Sequence, residues 1–180
     1  MFLSTLIIAA LWVLLYQINH WALESFEITR FVSWIFLPAA IRMLAIIVFE
    51  WIGAVGLFVG ALVTNQMTHS ILIIDGLTLA SLSSVGPLLA FWCCTRLLSL
   101  PVDLLGLSAK QLLVFSVVGA LFNAVPLSIY FYCTDRTNGP FESLVPTFLG
   151  DLSGTLVVLL VASLAIRLIF KHPTETNTLR

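Results

Sequence analysis

Charged side chains inside apolar segments are the residues of this sequence that could do chemistry. Arg42 lies in the apolar run of residues 31–65. Placing an arginine in lipid costs about 2.5–3.5 kcal/mol on insertion scales, so its guanidinium needs a partner, water or a ligand. Two interpretations stay open. Arg42 either snorkels to the cytoplasmic interface or anchors an anionic group, which is a buried carboxylate or a ligand.

Asp151 is the carboxylate that we prefer as the partner of Arg42. It lies about two turns inside the apolar boundary of the last segment. We expect several polar side chains to share its outer-side depth and to line an outward-facing cavity. The alternative is helix-to-helix hydrogen bonding, at on the order of 0.6–2 kcal/mol per bond. The candidate ligand- or partner-binding residues are Pro38, Arg42, Asn65, Asp75, Asn123 and Asp151. Of these, Pro38 is expected to free a backbone carbonyl beside Arg42 or to bend the helix.

Glycines at helical spacing form a second pattern. Gly53, Gly56 and Gly60 recur at i, i+3 and i+7, which places them on one helix face. Small residues let helix backbones approach closely, which drives packing in lipid. This face indicates intramolecular packing or, alternatively, homodimerisation or docking of another protein. The predicted helix-packing residues are Gly53, Gly56, Gly60, Gly150 and Gly154.

Catalytic and metal-binding patterns are weak. Two intramembrane aspartates, Asp75 and Asp151, invite comparison with membrane aspartyl proteases, which share a proton between paired carboxylates. The GxGD motif of those enzymes is matched here only by Phe148–Asp151, which lacks the first glycine. HExxH and GxSxG motifs are absent from the sequence. The three cysteines have neither a redox nor a zinc spacing. We therefore predict a chain without catalysis, metal or cofactor.

Composition indicates a membrane protein. Hydrophobic residues make up 60% of the 180 residues and charged residues 9%, with a mean hydropathy of +1.09, whereas soluble domains carry about 25% charged residues. A net charge of −1 without charge runs excludes a basic nucleic-acid-binding surface. The fold class predicted is an all-α polytopic transmembrane helical bundle whose main partner is the lipid bilayer.

Six spans are expected, because each crossing needs about 20 apolar residues. The third is short and either crosses a thinned region or packs as a re-entrant helix. Residues 1–170 form a single transmembrane domain, and residues 171–180 form a short polar cytoplasmic tail. The predicted spans are Phe2–Gln17, Phe31–Phe49, Trp51–Asn65, Ile71–Leu98, Ser108–Cys133 and Val145–Phe170.

Basic residues orient these spans. Cytoplasmic loops carry an excess of lysine and arginine. With the N-terminus inside, only Arg30 and Arg136 fall in outer loops. The inner loops and tail then hold Arg96, Lys110, Arg167, Lys171 and Arg180. Both termini are therefore predicted to be cytoplasmic, in the inner membrane of a bacterium.

Two segments resemble the bacterial membrane-associated sensor domains of the MASE type. The run Trp34–Arg42 followed by Gly53–Asn65 is similar to the family's early motif, and Gly150–Gly154 matches its late Gly-Asp-x-x-Gly segment. Family members are usually fused to histidine kinases or diguanylate cyclases and receive signals in the membrane. This chain has fewer spans than is common in the family, Ala40 in place of a glycine, and no output domain. The resemblance implies a stand-alone sensory or interaction module that acts on a separate membrane or signalling protein.

Two alternatives come from other classes. Six spans with both termini inside are also similar to the small-molecule-binding subunits of energy-coupling-factor vitamin transporters, although Ala9 and Ala10 do not form an Ala-x-x-x-Ala face. A structural or assembly subunit of a larger membrane complex, held through the Gly53–Gly60 face, is the third. A vitamin subunit should retain a small-molecule ligand, a sensor a signalling partner, and a structural subunit one fixed complex.

Overall fold

Helices make up nearly all of the structure. The computed structural model describes residues 1–29, 32–69, 72–97 and 109–169, which are 89% helical. A 3₁₀ turn at Glu24–Phe26 follows the first helix, and a π turn at Asn65–His69 follows the second. Strands β1 (Glu27–Thr29) and β2 (Val32–Ser33) form a small antiparallel pair. The five helices are α1 (Phe2–Leu23), α2 (Pro38–Thr64), α3 (Ile73–Leu97), α4 (Ala109–Cys133) and α5 (Pro140–Ile169).

All five helices are long and apolar enough to cross a membrane, among the residues that the structure describes. This supports the helical membrane class. The sequence predicts six spans and the structure has five such helices, because the predicted second and third spans are the two halves of α2. The boundary between them coincides with a break at Glu50, where the backbone leaves the helical region (φ 48°, ψ −121°).

The break at Glu50 reverses the chain. In the first half of α2, Leu37 and Arg42 lie beside Asn19 and Trp12 of α1 respectively, so this half runs antiparallel to α1. In the second half, a Cβ on Gly56 would lie 2.8 Å from Ile8, and one on Gly60 would lie 2.8 Å from Trp12, so this half runs parallel to α1. Residues 38–49 and 51–64 therefore form a helical hairpin whose arms are about 18 and 21 Å long at 1.5 Å per residue.

The contacts define two ends of the bundle. Asp75 at the start of α3 bonds Tyr130 near the end of α4, so α3 and α4 are antiparallel. Asn123 of α4 bonds Asp151 of α5, which follows the next reversal. We call the end with His20, Glu27, Asp75 and Arg136 the Asp75 end, and the end with Met1, Glu50, Arg96 and Lys110 the Glu50 end.

The glycine face of α2 is filled by the same chain. Gly53 lies against the Ala45 carbonyl of the first half of α2, and Gly56 and Gly60 lie against α1. A side chain at any of these positions would overlap its neighbour, so small residues are what allow the hairpin and α1 to approach. The core formed there contains Ile8, Trp12, Ala45, Ile46, Leu57, Ala61 and Ala80.

Pro38 has a different role from the one predicted. The expected span begins at Phe31, which lies outside the described residues, and would place Pro38 within a helix. Instead α2 begins at Pro38. A proline in the first turn removes no intrahelical hydrogen bond and starts a helix favourably. It therefore frees no carbonyl beside Arg42.

Other boundaries shift by a few residues. Helix α1 extends beyond Gln17 to Leu23, and α5 begins at Pro140 before the predicted Val145. Ile71, Leu98, Ser108 and Phe170, which bound predicted spans, lie outside the described residues, as does the predicted tail at residues 171–180.

Candidate functional site

Arg42 is buried in the middle of the bundle and ion-paired. Its side chain is 6% exposed, and its Nη1 donates a hydrogen bond to Asp151 Oδ2 at 2.7 Å. The guanidinium carbon lies 5.4 Å from the ring centre of Trp12 and 5.3 Å from that of Phe36. These rings add cation–π attraction in a water-poor site. Of the two interpretations from sequence, the structure contains the buried carboxylate and not the snorkelling arginine.

Asn123 on α4 is the third side chain of the site, after Arg42 on α2 and Asp151 on α5. Its Nδ2 donates to the same Asp151 Oδ2 at 2.6 Å. The Oδ2 atom of Asp151, a residue of α5, therefore accepts one hydrogen bond from α2 and one from α4, and so links the three helices. A buried charge pair offsets its desolvation only when further hydrogen bonds satisfy its atoms. Asn123 supplies such a bond.

The Gly-Asp-x-x-Gly segment of α5 also holds an extended stretch of backbone. The N–H of Phe36 donates to the carbonyl of Gly150 at 2.9 Å, and Ser153 Oγ donates to the carbonyl of Trp34 at 2.7 Å. A Cβ on Gly150 or on Gly154 would overlap a carbonyl oxygen of this stretch. Non-helical backbone at membrane depth is tolerated where protein surrounds it and satisfies its polar groups. The two glycines make that close approach feasible beside Asp151.

Asn19 fixes the entry into α2. Its Oδ1 accepts a hydrogen bond from the backbone N–H of Leu37 at 2.8 Å, and its side chain is buried. The N–H groups before the first turn of a helix need such acceptors. Asn19 thereby links the end of α1 to the start of the helix that carries Arg42.

A cavity of about 90 Å³ lies between the ion pair and the Asp75 end. Its floor contains Arg42, Asn123 and Asp151. At its mouth, His20 Nδ1 lies 3.1 Å from Glu27 Oε1, and these side chains are 43% and 28% exposed. Its walls combine aromatic rings with small polar side chains, which are Trp12, Tyr16, Phe36, Phe131, Thr64, Ser83 and Thr147.

Three lining residues keep a buried polar atom without a hydrogen-bond partner among the described residues. These atoms are Arg42 Nε, Asn123 Oδ1 and Thr147 Oγ1. Buried polar groups in native proteins are nearly always bonded to protein, water or a ligand. Ser128 and Ser143 also keep such atoms, away from the cavity. The three around the cavity make it the candidate place for a bound water or ligand.

A second, smaller cavity lies on the other side of the ion pair. It measures about 20 Å³, and Ser116 and Thr155 are among its lining residues together with Arg42 and Asp151. This is enough for a water molecule, which needs about 10–15 Å³. Toward the Glu50 end the bundle is closed by an apolar cluster of Met43, Ile47, Cys94 and Phe115. The ion pair therefore separates the larger cavity from a closed half of the bundle.

The predicted site residues do not all meet. Arg42, Asn123 and Asp151 are brought together, and Asn65 lines the same cavity while its Nδ2 bonds the Gly76 carbonyl at 3.4 Å. Pro38 is buried but is not among the lining residues.

Asp75 was wrongly grouped with this cavity, since it is not a lining residue. It accepts hydrogen bonds from Tyr130 Oη and Arg136 Nη2, each at 2.6 Å, in a separate cluster near the surface. The reason is its place in the first turn of α3, where the α4–α5 loop with Arg136 reaches it.

Sequence reasoning missed four contributors: Trp12, Asn19, Phe36 and Thr147. Thr147 precedes Asp151 by four residues, so helical spacing could have placed both on one face. Asn19 falls just beyond the predicted end of the first span, which hid it. Nothing in the sequence distinguishes Trp12 and Phe36 from the many other aromatic residues.

The site can bind through hydrogen bonds and aromatic contacts. Across the described ranges, no group of three or more histidine, cysteine, aspartate or glutamate side chains could hold a metal ion. Comparisons with models of protein families, with curated proteins and with solved structures find no match.

Proposed function

We propose that this chain is a non-catalytic sensory or interaction module of a bacterial inner membrane, which binds a small ligand in the cavity above Arg42 and Asp151. The observation that carries the proposal is the meeting of a buried ion pair, unpartnered polar atoms and a cavity at one place. Intramembrane ionisable residues that face the bundle interior typically mark such sites.

We further propose six crossings with both termini in the cytoplasm. The alternating direction of α1, the two arms of α2, α3, α4 and α5 supports this arrangement. Arg96 and Lys110 lie at the Glu50 end, which the positive-inside rule assigns to the cytoplasm. The arms of α2 are shorter than the roughly 30 Å hydrocarbon core, so they would cross a locally thinned bilayer. The cavity would then open outward.

The first arm of α2 could transmit ligand binding from the cavity to the Glu50 end of the bundle. Arg42 belongs to this arm, and the arm ends at the exposed hairpin tip of Phe49, Glu50 and Trp51. A ligand that changes the position of Arg42 would act on this tip, where we place the contact with another membrane or signalling protein. The resemblance to MASE-type sensors supports this role, because its early and late motifs contact each other beside Asp151.

The runner-up is the small-molecule-binding subunit of a transporter of the energy-coupling-factor type. An outward-facing cavity closed toward the cytoplasm favours it. The structural-subunit alternative loses its proposed docking face, since Gly53, Gly56 and Gly60 already pack within the chain.

Mass spectrometry of the gently solubilised protein tests the proposal. Ser83 lines the cavity from α3, whereas Val85, two residues later, is 47% exposed and is not a lining residue. Ser83→Phe should fill the cavity, and Val85→Phe is its matched control. We expect a small molecule to be retained by the wild type and by Val85→Phe and to be lost from Ser83→Phe.

The identity of co-purifying proteins separates the candidates. A signalling protein supports the sensor, a transporter energising unit supports the transport subunit, and one fixed complex supports the structural subunit. Equal retention of every bound species by Ser83→Phe and Val85→Phe would contradict ligand binding in the cavity.

A further inference from the structure

We infer that the ligand of the cavity is a small uncharged molecule with a flat apolar body and an amide-like edge that both donates and accepts hydrogen bonds. This inference rests on the proposed function, since it assumes that the cavity above Arg42 and Asp151 is the binding site. It adds the chemical class of the ligand.

Charge pairing argues against a charged ligand. Among the described residues that line the cavity, the ionisable side chains other than Tyr16 are bonded to each other: Arg42 forms an ion pair with Asp151, and His20 lies in hydrogen-bonding contact with Glu27. An anion at the unpartnered Nε of Arg42 would bring a second negative charge close to Asp151, and an anion at Nη1 would displace Asp151 and leave a buried carboxylate without its counter-ion. A cation would have to displace Arg42 in the same way. Breaking one side of a buried pair is strongly unfavourable, so a neutral molecule is favoured.

The walls indicate a flat apolar body. Trp12, Tyr16, Phe36 and Phe131 contribute four aromatic rings to a cavity of about 90 Å³. Aromatic side chains prefer stacked or edge-to-face contacts with other rings. Benzene occupies an engineered closed cavity of about 150 Å³, so a single small ring is the upper limit here, and only because the cavity is open at its His20–Glu27 mouth. A multi-ring molecule would need the walls to move apart.

Unpartnered atoms indicate the polar edge. Asn123 Oδ1 can only accept a hydrogen bond and Arg42 Nε can only donate one, while the Thr147 hydroxyl can do either. The bonded atoms of Asn123 and Arg42 meet at the same Asp151 oxygen, so their unpartnered atoms belong to two side chains that are joined at the floor of the cavity. An amide has an N–H beside a carbonyl, so it can donate a hydrogen bond to Asn123 Oδ1 and accept one from Arg42 Nε.

Four probes that share one ring test the charge class. Benzamide is neutral, benzoate anionic, benzylammonium cationic and phenylglycine zwitterionic at pH 7. Saturation-transfer NMR on the full chain in lipid nanodiscs would give each dissociation constant, with Ser83→Phe as the blocked control. We expect benzamide to bind the wild type but not Ser83→Phe, and each charged probe to bind at least tenfold more weakly.

Comparable or tighter binding of a charged probe would overturn the inference and leave the cavity as a ligand site. Absence of binding by all four probes would also overturn it. The proposed function would then stand or fall on the species retained by Val85→Phe and lost from Ser83→Phe.

A pair of variants on α5 tests the polar edge separately from folding. Thr147 and Ser143 are both buried, and the hydroxyl of each has no hydrogen-bond partner within the described ranges, but of the two only Thr147 lines the cavity. Neither Thr147→Val nor Ser143→Ala should lower the melting temperature, because each removes a buried hydroxyl that has no partner. Thr147→Val should weaken benzamide binding about three- to tenfold, the value of one hydrogen bond, and Ser143→Ala should leave it unchanged. Equal affinity of both variants for benzamide would contradict the inference.

Discussion

Two arginine–aspartate pairs in this protein have nearly the same geometry and very different surroundings. Arg42 and Asp151 are 2.7 Å apart with side chains that are 6% and 5% exposed. Arg136 and Asp75 are 2.6 Å apart with side chains that are each 25% exposed. Each aspartate also accepts a hydrogen bond from an α4 side chain, Asn123 in the first case and Tyr130 in the second. Distance alone therefore does not distinguish them.

Burial is what separates their roles. The Arg136–Asp75 pair joins the α4–α5 loop to α3. Water near the Asp75 end can solvate either side chain if the other is lost, because both are partly exposed. Inside the bundle only the small adjoining cavities could supply water in place of a lost partner, so removal of one member of the Arg42–Asp151 pair leaves a poorly solvated buried charge. The buried pair, which lines the cavity proposed as the ligand site, is therefore expected to contribute more to stability than the partly exposed pair, which joins a loop to α3.

The largest expected effect comes from removing one member of the inner pair. Arg42→Met or Asp151→Asn should each lower the free energy of unfolding by about 3–5 kcal/mol, because a buried charge is left without its partner. Unfolding in mixed micelles by titration with a denaturing detergent measures this. A loss below about 1 kcal/mol, typical of exposed pairs, would remove the distinction between the two pairs.

An intermediate effect is expected from the glycines beside Asp151. Gly154→Ala should lower the free energy of unfolding by about 1–3 kcal/mol, because the new methyl overlaps the carbonyl of Phe36 and pushes the extended stretch away. Gly119→Ala on α4 is the matched control, since a Cβ built there would have no atom of the described residues within 4 Å apart from its own helical turn. Alanine there should be neutral or stabilising by up to about 1 kcal/mol. Equal effects of the two substitutions would show that α5 does not support the inner pair by close packing.

The smallest effect is expected at the outer pair. Asp75→Asn keeps the shape of the side chain and removes its charge, so the free energy of unfolding should fall by about 1 kcal/mol or less. The difference from wild type should shrink as salt is raised, because partly exposed charges are screened. The same denaturation at low and high salt measures both. A salt-independent loss as large as that of Asp151→Asn would make the two pairs equivalent.

The sequence predicts contacts best where a charged side chain would be costly to leave unpaired in lipid. An arginine in an apolar segment needs a partner, water or a ligand, and among the possible partners the sequence favours Asp151, which is the contact that the structure contains. The junction at Glu50 was readable too, because two apolar runs meet there. The prediction for Asp75 is wrong because the limits of an apolar segment indicate how deep a residue lies in the membrane, but not which neighbouring helix its side chain faces. The extended stretch before Pro38 is not predicted from the sequence, because its residues are as apolar as those of a membrane helix. Only the proline indicates that α2 begins later than the apolar run.

A double-mutant cycle on Arg42 and Asp151 measures directly whether the two side chains stabilise the protein as a pair. Unfolding free energies would be measured for the wild type, Arg42→Met, Asp151→Asn and the double variant under identical conditions. We predict that the double variant is more stable than Arg42→Met alone, with a coupling energy above about 1 kcal/mol, because no buried charge is left unpaired. Losses that add within about 0.5 kcal/mol would show that the two side chains act independently, and would contradict the account of the site.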